Sequence, residues 1–312
     1  MNNFSVASDT LSPPWEDTVK SPRLKAKWKN RVITALSQSD YRAYLYPVFT
    51  PAGIPVTAEA PVDHPHQQSI TVGTDRLDCI VELPEPYSNT FVEATYNFWS
   101  NETYSGRAPG RIVGTSIEST EMTSNHIRLV QSLEWQSPPQ WGELNGAVVA
   151  HETRTIDVYP GEVANIIDIR SQLCPTNWDI LIGPTVHSYF TVRIADGLRV
   201  VDGGMLVDSE GRKSSKEIRG QRADWVDCSG KTVYGHSAGV AVFHHPSMDN
   251  SLWHLDDWGK VSVNPFIETR KSIVCGEALD LSVRIVAHDG DATDARIVEI
   301  HDDFIEATSQ QP

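Results

Sequence analysis

Apolar and polar residues alternate with a period of two through much of this chain, and turn clusters break the alternation at short intervals. It runs through His126-Ile127-Arg128-Leu129, Glu152 to Val158, Ser188 to Ile194 and Leu281 to Val286. Successive side chains of a strand point to opposite sides, so a run of this kind buries one face and leaves the other polar. Tyr159-Pro160-Gly161, Asp202-Gly203-Gly204, Cys228-Ser229-Gly230 and His288-Asp289-Gly290 separate the runs with residues that favour turns. No stretch reads as a long amphipathic helix, and there is no internal repeat or low-complexity tract, which disfavours solenoids and propellers. The expected class is all-β, a large antiparallel β-sandwich with two broad sheets.

With 312 residues the chain could hold two average domains, yet sandwiches often keep roughly 200 to 250 residues or more in one. Residues 1–30 are polar and Pro-rich and turn basic from Lys20. They read as an N-terminal arm or short helix docked on a single β-sandwich domain of residues 31–312.

Asp and Glu outnumber Lys and Arg by 41 to 26, a formal net charge of -15, and the basic residues are scattered. Such a surface repels phosphate backbones and anionic headgroups, so neither nucleic acid nor membrane is an expected partner. The expected partner is a small-molecule substrate, with assembly into a homo-oligomer left open. Cys79, Cys174, Cys228 and Cys275 form no CxxC pair or dense framework, which fits a reducing compartment. The first residues lack an apolar core behind a positive start, and no run of 18 apolar residues occurs. A cytoplasmic location is expected.

The densest cluster of chemically capable side chains is Asp63-His64-Pro65-His66-Gln67-Gln68. Pro65 biases His64 to extended backbone, so His64 and His66 can face the same side. Two imidazoles so placed can bind a metal, or one can move protons while the other orients a hydroxyl; both can equally well satisfy backbone groups in a structured loop. Glu152 and Arg154 share a face with Ile156 and Val158, either as a buried structural pair or as the floor of a pocket. His187 opens the next strong strand, where sandwiches carry functional side chains on loops, although a lone histidine is more often structural. His244-His245-Pro246 and Trp253-His254 to Trp258 gather imidazoles, carboxylates and indoles. Trp253 and Trp258 are the expected pocket walls, because indoles stack on sugar faces, though indoles are also ordinary core material. GxGxxG, GxxxxGK[ST] and HExxH are all missing, so dinucleotide, P-loop and zincin readings have no support.

In order and spacing the motifs resemble the PmoA-like family over about residues 41–266. The likeness rests on Tyr44-Leu45-Tyr46-Pro47, Thr50-Pro51-Ala52-Gly53, Asp63 to His66, Glu152 with Arg154, His187, Arg193-Ile194-Ala195, Ser209 to Arg212, Arg222 with Trp225-Val226-Asp227, His245-Pro246-Ser247, Trp253-His254 and Asn264-Pro265-Phe266. The resemblance implies a sandwich similar to the galactose-mutarotase architecture, and carbohydrate or polyol chemistry by analogy. This chain departs from the family at Gln67-Gln68-Ser69-Ile70, where His-Arg-Gly-Leu is usual. Glutamine still bonds hydroxyls and carbonyls, so the substrate class can persist while the reaction changes.

These readings combine into an expected enzyme of epimerase, lyase or hydrolase type, transferring protons on a sugar-like or keto-sugar-like molecule. His64 or His66 is the base, Glu152 or His187 the acid, and Arg154 the stabiliser of a developing oxyanion. Gln67, Gln68, His245, Trp253, His254 and Asn264 are assigned to substrate binding, and no cofactor is required. The alternatives are a divalent metal at His64 and His66 with His187 or His245, and a non-catalytic carbohydrate-binding subunit.

Overall fold

The computed structural model describes residues 3–9, 23–83, 85–139 and 145–309. Among these residues two eight-stranded sheets and one of five strands make up the body. The first sheet runs in the order Phe4–Asp9, Arg23–Trp28, Arg31–Gln38, Ala43–Val48, Ile70–Thr74, Ser188–Arg193, Lys260–Asn264, Leu252–Leu255. The second runs Met205–Asp208, Trp225–Lys231, Ser237–His244, Leu279–Asp289, Ala164–Pro175, Val148–Tyr159, Ile127–Gln136, Arg111–Met122. Neighbours within both sheets are antiparallel, so the chain is an antiparallel β-sandwich, as the alternation implies.

The interior follows from register. In the first sheet Val72, Phe190, Val263 and Trp253 lie in one cross-strand row, and Ile70, Val192, Val261 and Leu255 in the next such row. Leu129, Leu133, Ile156, Ile167, Ile169, Val283 and Ile285 of the second sheet join them in one continuous apolar cluster. Each such side chain, fully buried, contributes about 1.5 to 3 kcal/mol of transfer free energy.

Two expectations are corrected here. The described parts of the first thirty residues are not an arm, because Phe4–Asp9 and Arg23–Trp28 pair with each other and extend the first sheet at its edge. The basic residues hid this strand, since Arg23 is fully buried and its charge is met by a bidentate ion pair with Glu59. The stretch at residues 10–22 lies outside the described residues. An amphipathic helix is also present, Ile297–Ser309, seated on the outer face of the second sheet. Its Ile297 and Phe304 pack on Trp225, Ala241, Phe243 and Val286. Those strand residues point away from the main core, which is why the strands here are apolar on both faces.

Candidate active site

The face of the first sheet turned away from the core carries polar rows. Thr71, Thr191, Ser262 and His254 are paired across four strands, and Arg193 is paired with Lys260. This face is nonetheless covered, with Thr191, Ser262, Arg193 and Lys260 all at most 2% exposed. The loop at residues 63–68 lies over it. Arg193 donates to both carboxylate oxygens of Asp63 and to Gln67 Oε1, while Arg42 donates to Gln68 Oε1 and to the carbonyl of His66. Trp99 and His187 close the other side, their rings 5.3 Å apart.

Three half-buried imidazoles and one buried amine meet there. Lys260 Nζ lies 3.3 Å from His187 Nδ1, and His187 Nε2 lies 3.1 Å from the Tyr104 hydroxyl. The His254 ring stands edge-on to His187 at 5.6 Å. Among the described residues the ring nitrogens of His66 and His254 have no hydrogen-bond partner, and His254 Nδ1 is buried without one. Burial, and then the positive charge of Lys260, holds His187 and His254 down at about 3. For His66 burial comes first and Arg42 next, bringing it to about 4. All three rings are therefore neutral at pH 7, each able to donate through one nitrogen and accept through the other. Burial likewise pulls Lys260 down to about 8, with Asp256 opposing, so it is mostly an ammonium at pH 7. Asp75 is raised by burial against the pull of Thr185 and Arg107.

Of the residues expected from sequence, His66, His187 and His254 come together, with Gln67 and Gln68 beneath them holding the two buried arginines. Asn264 ties the walls of the site, donating to Thr185 O at 2.7 Å and accepting from Phe266 N. His64 stands at the rim, its Nδ1 bonded to Asp63 at 2.7 Å. Glu152 and Arg154 do not join this group. Both are 1% exposed in the interior, and the carboxylate is filled by Trp135 Nε1, Arg154 and the Ser171 hydroxyl. An acceptor so completely occupied is a structural pair. Trp253 is a core residue, fully buried, with its Nε1 donating to Ala223 O. Trp258 is half exposed. His245 lies on the other sheet beside the C-terminal helix, with its ring 6.1 Å from Phe304.

The proposed metal ligands are thus not assembled, and no group of three or more His, Cys, Asp or Glu among the described residues stands in ligand geometry. An open groove of about 800 Å³, lined by Trp28, Phe49, Pro51 and Asn165 among others, has no imidazole in its lining. Sequence reasoning missed Lys260, Trp99, Tyr104 and Arg42. The alternation Lys260-Val261-Ser262-Val263-Asn264 does place Lys260 on the polar face, but nothing local signals that this face is covered.

The fold and these side chains define an all-β sandwich whose covered polar sheet face carries an imidazole and amine cluster. The chain belongs to a family of unknown function, DUF6807, whose profile matches residues 26–302. That match corrects the expected PmoA-like assignment. Among curated proteins none matches this chain. Solved structures with a similar chain course include the GH36 α-galactosidase AgaB of Geobacillus stearothermophilus, 9% identical, covering 93% of this chain and 42% of that one, with TM-score 0.45. A galactose mutarotase related enzyme of Lactobacillus acidophilus is 6% identical, covering 91% and 97%, with TM-score 0.36. A putative aldose 1-epimerase of Escherichia coli K12 is 7% identical, covering 92% and 99%, with TM-score 0.31. This chain spans about two fifths of the α-galactosidase. No helix among the described residues is long and apolar enough to cross a membrane.

Proposed function

We propose that this protein is an enzyme that moves protons on a carbohydrate-like carbonyl compound, a keto-sugar or related polar small molecule, in a reaction of epimerase, lyase or hydrolase type. The observation that carries the reading is the pair of imidazoles, His66 and His254, whose ring nitrogens meet no hydrogen-bond partner among the described residues and which both feel the charge of a buried ammonium, Lys260. His66 takes a proton from the carbon beside the carbonyl, the electron pair moves into the carbon–oxygen bond system, and the resulting oxyanion meets Lys260. A fixed cation in a site shielded from water stabilises such charge strongly. The imidazolium so formed on His66 returns a proton, by then exchanged with solvent, to that carbon, while the neutral His254 ring donates to and accepts from the substrate's hydroxyls through its two nitrogens. His187 and Tyr104 hold Lys260 in place. Trp99 offers a flat wall for the C–H face of a sugar ring.

Proton exchange into aldoses, ketoses and sugar acids, followed by nuclear magnetic resonance in deuterated water, tests this. Exchange at the carbon next to the carbonyl is expected with the wild-type protein and is expected to vanish in Lys260→Met. A sugar that binds without exchange or turnover would instead indicate a binding subunit.

A further inference from the structure

We infer that the substrate of this site is an anion, a hydroxyl-rich carboxylate of the sugar-acid class, whose charge compensates Lys260 and Arg42. The inference rests on the acid–base reading above for the location of the site, and adds the chemical class of what fills it.

Among the described residues four arginines have fully buried side chains, and three of them have a carboxylate. Arg23 is paired with Glu59, Arg154 with Glu152 and Arg193 with Asp63. Arg42 has none. It is 1% exposed, and its partners are Gln68 Oε1, the carbonyls of Trp99 and His66, and the Tyr41 hydroxyl, all of them neutral. Lys260 is 2% exposed and its one side-chain hydrogen bond goes to a neutral imidazole. No carboxylate lies within ion-pair distance of either cation among the described residues.

The two cations border the same few side chains. Arg42 donates to the Trp99 carbonyl, and Lys260 Nζ lies 5.5 Å from the centre of the Trp99 ring. Both act electrostatically on His66, together with Arg193. Nearby carboxylates are already engaged. Asp75 is held by Arg107 and the Thr185 hydroxyl, Asp63 by Arg193 and His64, and Asp256 accepts from the backbone N–H of Lys260. Burying charge without a counter-ion is costly, so a fold that compensates its other buried arginines and leaves these two open has kept a place for an external negative charge.

The chemistry of that charge follows from the donors. Arg42 spends its N–H groups on neutral acceptors, which leaves one ammonium as the direct charged contact, flanked by neutral rings. One ammonium suits the single delocalised charge of a carboxylate better than a phosphate dianion. The imidazoles, Tyr104 and the Trp99 face suit the hydroxyls and C–H surface of the same molecule. Such an anion also removes the positive field on His66, which makes it a better base only when substrate is present.

Calorimetric titration at pH 7 with D-galacturonate, D-glucuronate and D-gluconate, alongside D-galactose and D-galactose 6-phosphate, tests the inference. At least one of the sugar acids is expected to bind about tenfold or more tighter than galactose, as one charge-assisted hydrogen bond implies. Lys260→Met is expected to reduce that ligand to the galactose level; if it does not fold, Lys260→Gln serves the same comparison. Equal or tighter binding of galactose overturns the inference, as does failure of all three acids to bind. Tighter binding of the phosphate overturns the carboxylate assignment. Selective binding of a sugar acid without proton exchange would sink the acid–base reading alone, whereas exchange on neutral ketoses with no affinity for acids would sink this inference alone.

Discussion

Lys260 donates to Nδ1 of His187 across 3.3 Å, and that bond fixes which nitrogen of the ring carries the proton. An ammonium has no lone pair to accept with, so Nδ1 must be the acceptor and Nε2–H faces Tyr104. Loss of the Lys260 proton removes both the charge and the reason for this tautomer.

Turnover should therefore follow two ionisations. The kcat/KM of the free enzyme is expected to rise through about 4 as His66 becomes neutral and to fall above about 8 as Lys260 loses its proton. Lys260→Arg keeps the cation to far higher pH and should remove the alkaline limb, while His66→Ala should lower turnover by roughly 10²- to 10⁴-fold. An alkaline limb unchanged in Lys260→Arg would exclude Lys260 as its source.

Stability should be sensitive to mild acid. His187 and His254 are held near 3 and His66 near 4, whereas an unfolded chain titrates its histidines at about 6.5. Below that value the unfolded state binds more protons than the folded one, so stability present above pH 6.5 is lost as the pH falls toward 4. Urea midpoints are expected to drop between pH 7.5 and 5, and to drop less in His187→Gln. Identical midpoints across that range would count against neutral rings.

Breaking the Glu152–Arg154 pair should damage the fold and leave the site intact. Glu152→Gln leaves Arg154 buried without its counter-charge, at a cost of about 3 to 5 kcal/mol. A large fall in melting temperature is expected, with unchanged ligand affinity in the folded fraction. Lost affinity at unchanged stability would return Glu152 to the binding site.

Two of the buried indoles, Trp253 and Trp99, should behave differently. Trp253→Ala empties a core position and is expected to cost roughly 3 to 5 kcal/mol of stability. Trp99→Leu removes the flat wall beside His187 and Lys260 and should weaken binding several-fold, on the order of 0.5 to 1.5 kcal/mol. Thermal melts and titrations on both variants separate the roles, and a reversal of the two patterns would move the site to Trp253.

The class of fold was legible in the chain because alternation is local: Phe190-Thr191-Val192-Arg193 already states which side chains share a face. That His66 and His187 are imidazoles near Pro65 and at a strand start was legible for a similar reason, since each is visible on its own. Which partners they meet was not. Glu152 and Arg154 look in sequence like a catalytic pair on an apolar face, and only packing shows Trp135 and Ser171 filling that carboxylate. Lys260 looks like an ordinary strand residue, and only the cover laid by residues 63–68, Trp99 and His187 buries it away from any carboxylate. Hydrophobic pattern is set by neighbours along the chain, so sequence alone determined the sandwich. Burial and charge pairing are set by residues far apart in sequence, such as Lys260 and His187, so only the tertiary structure decided which polar groups form a site.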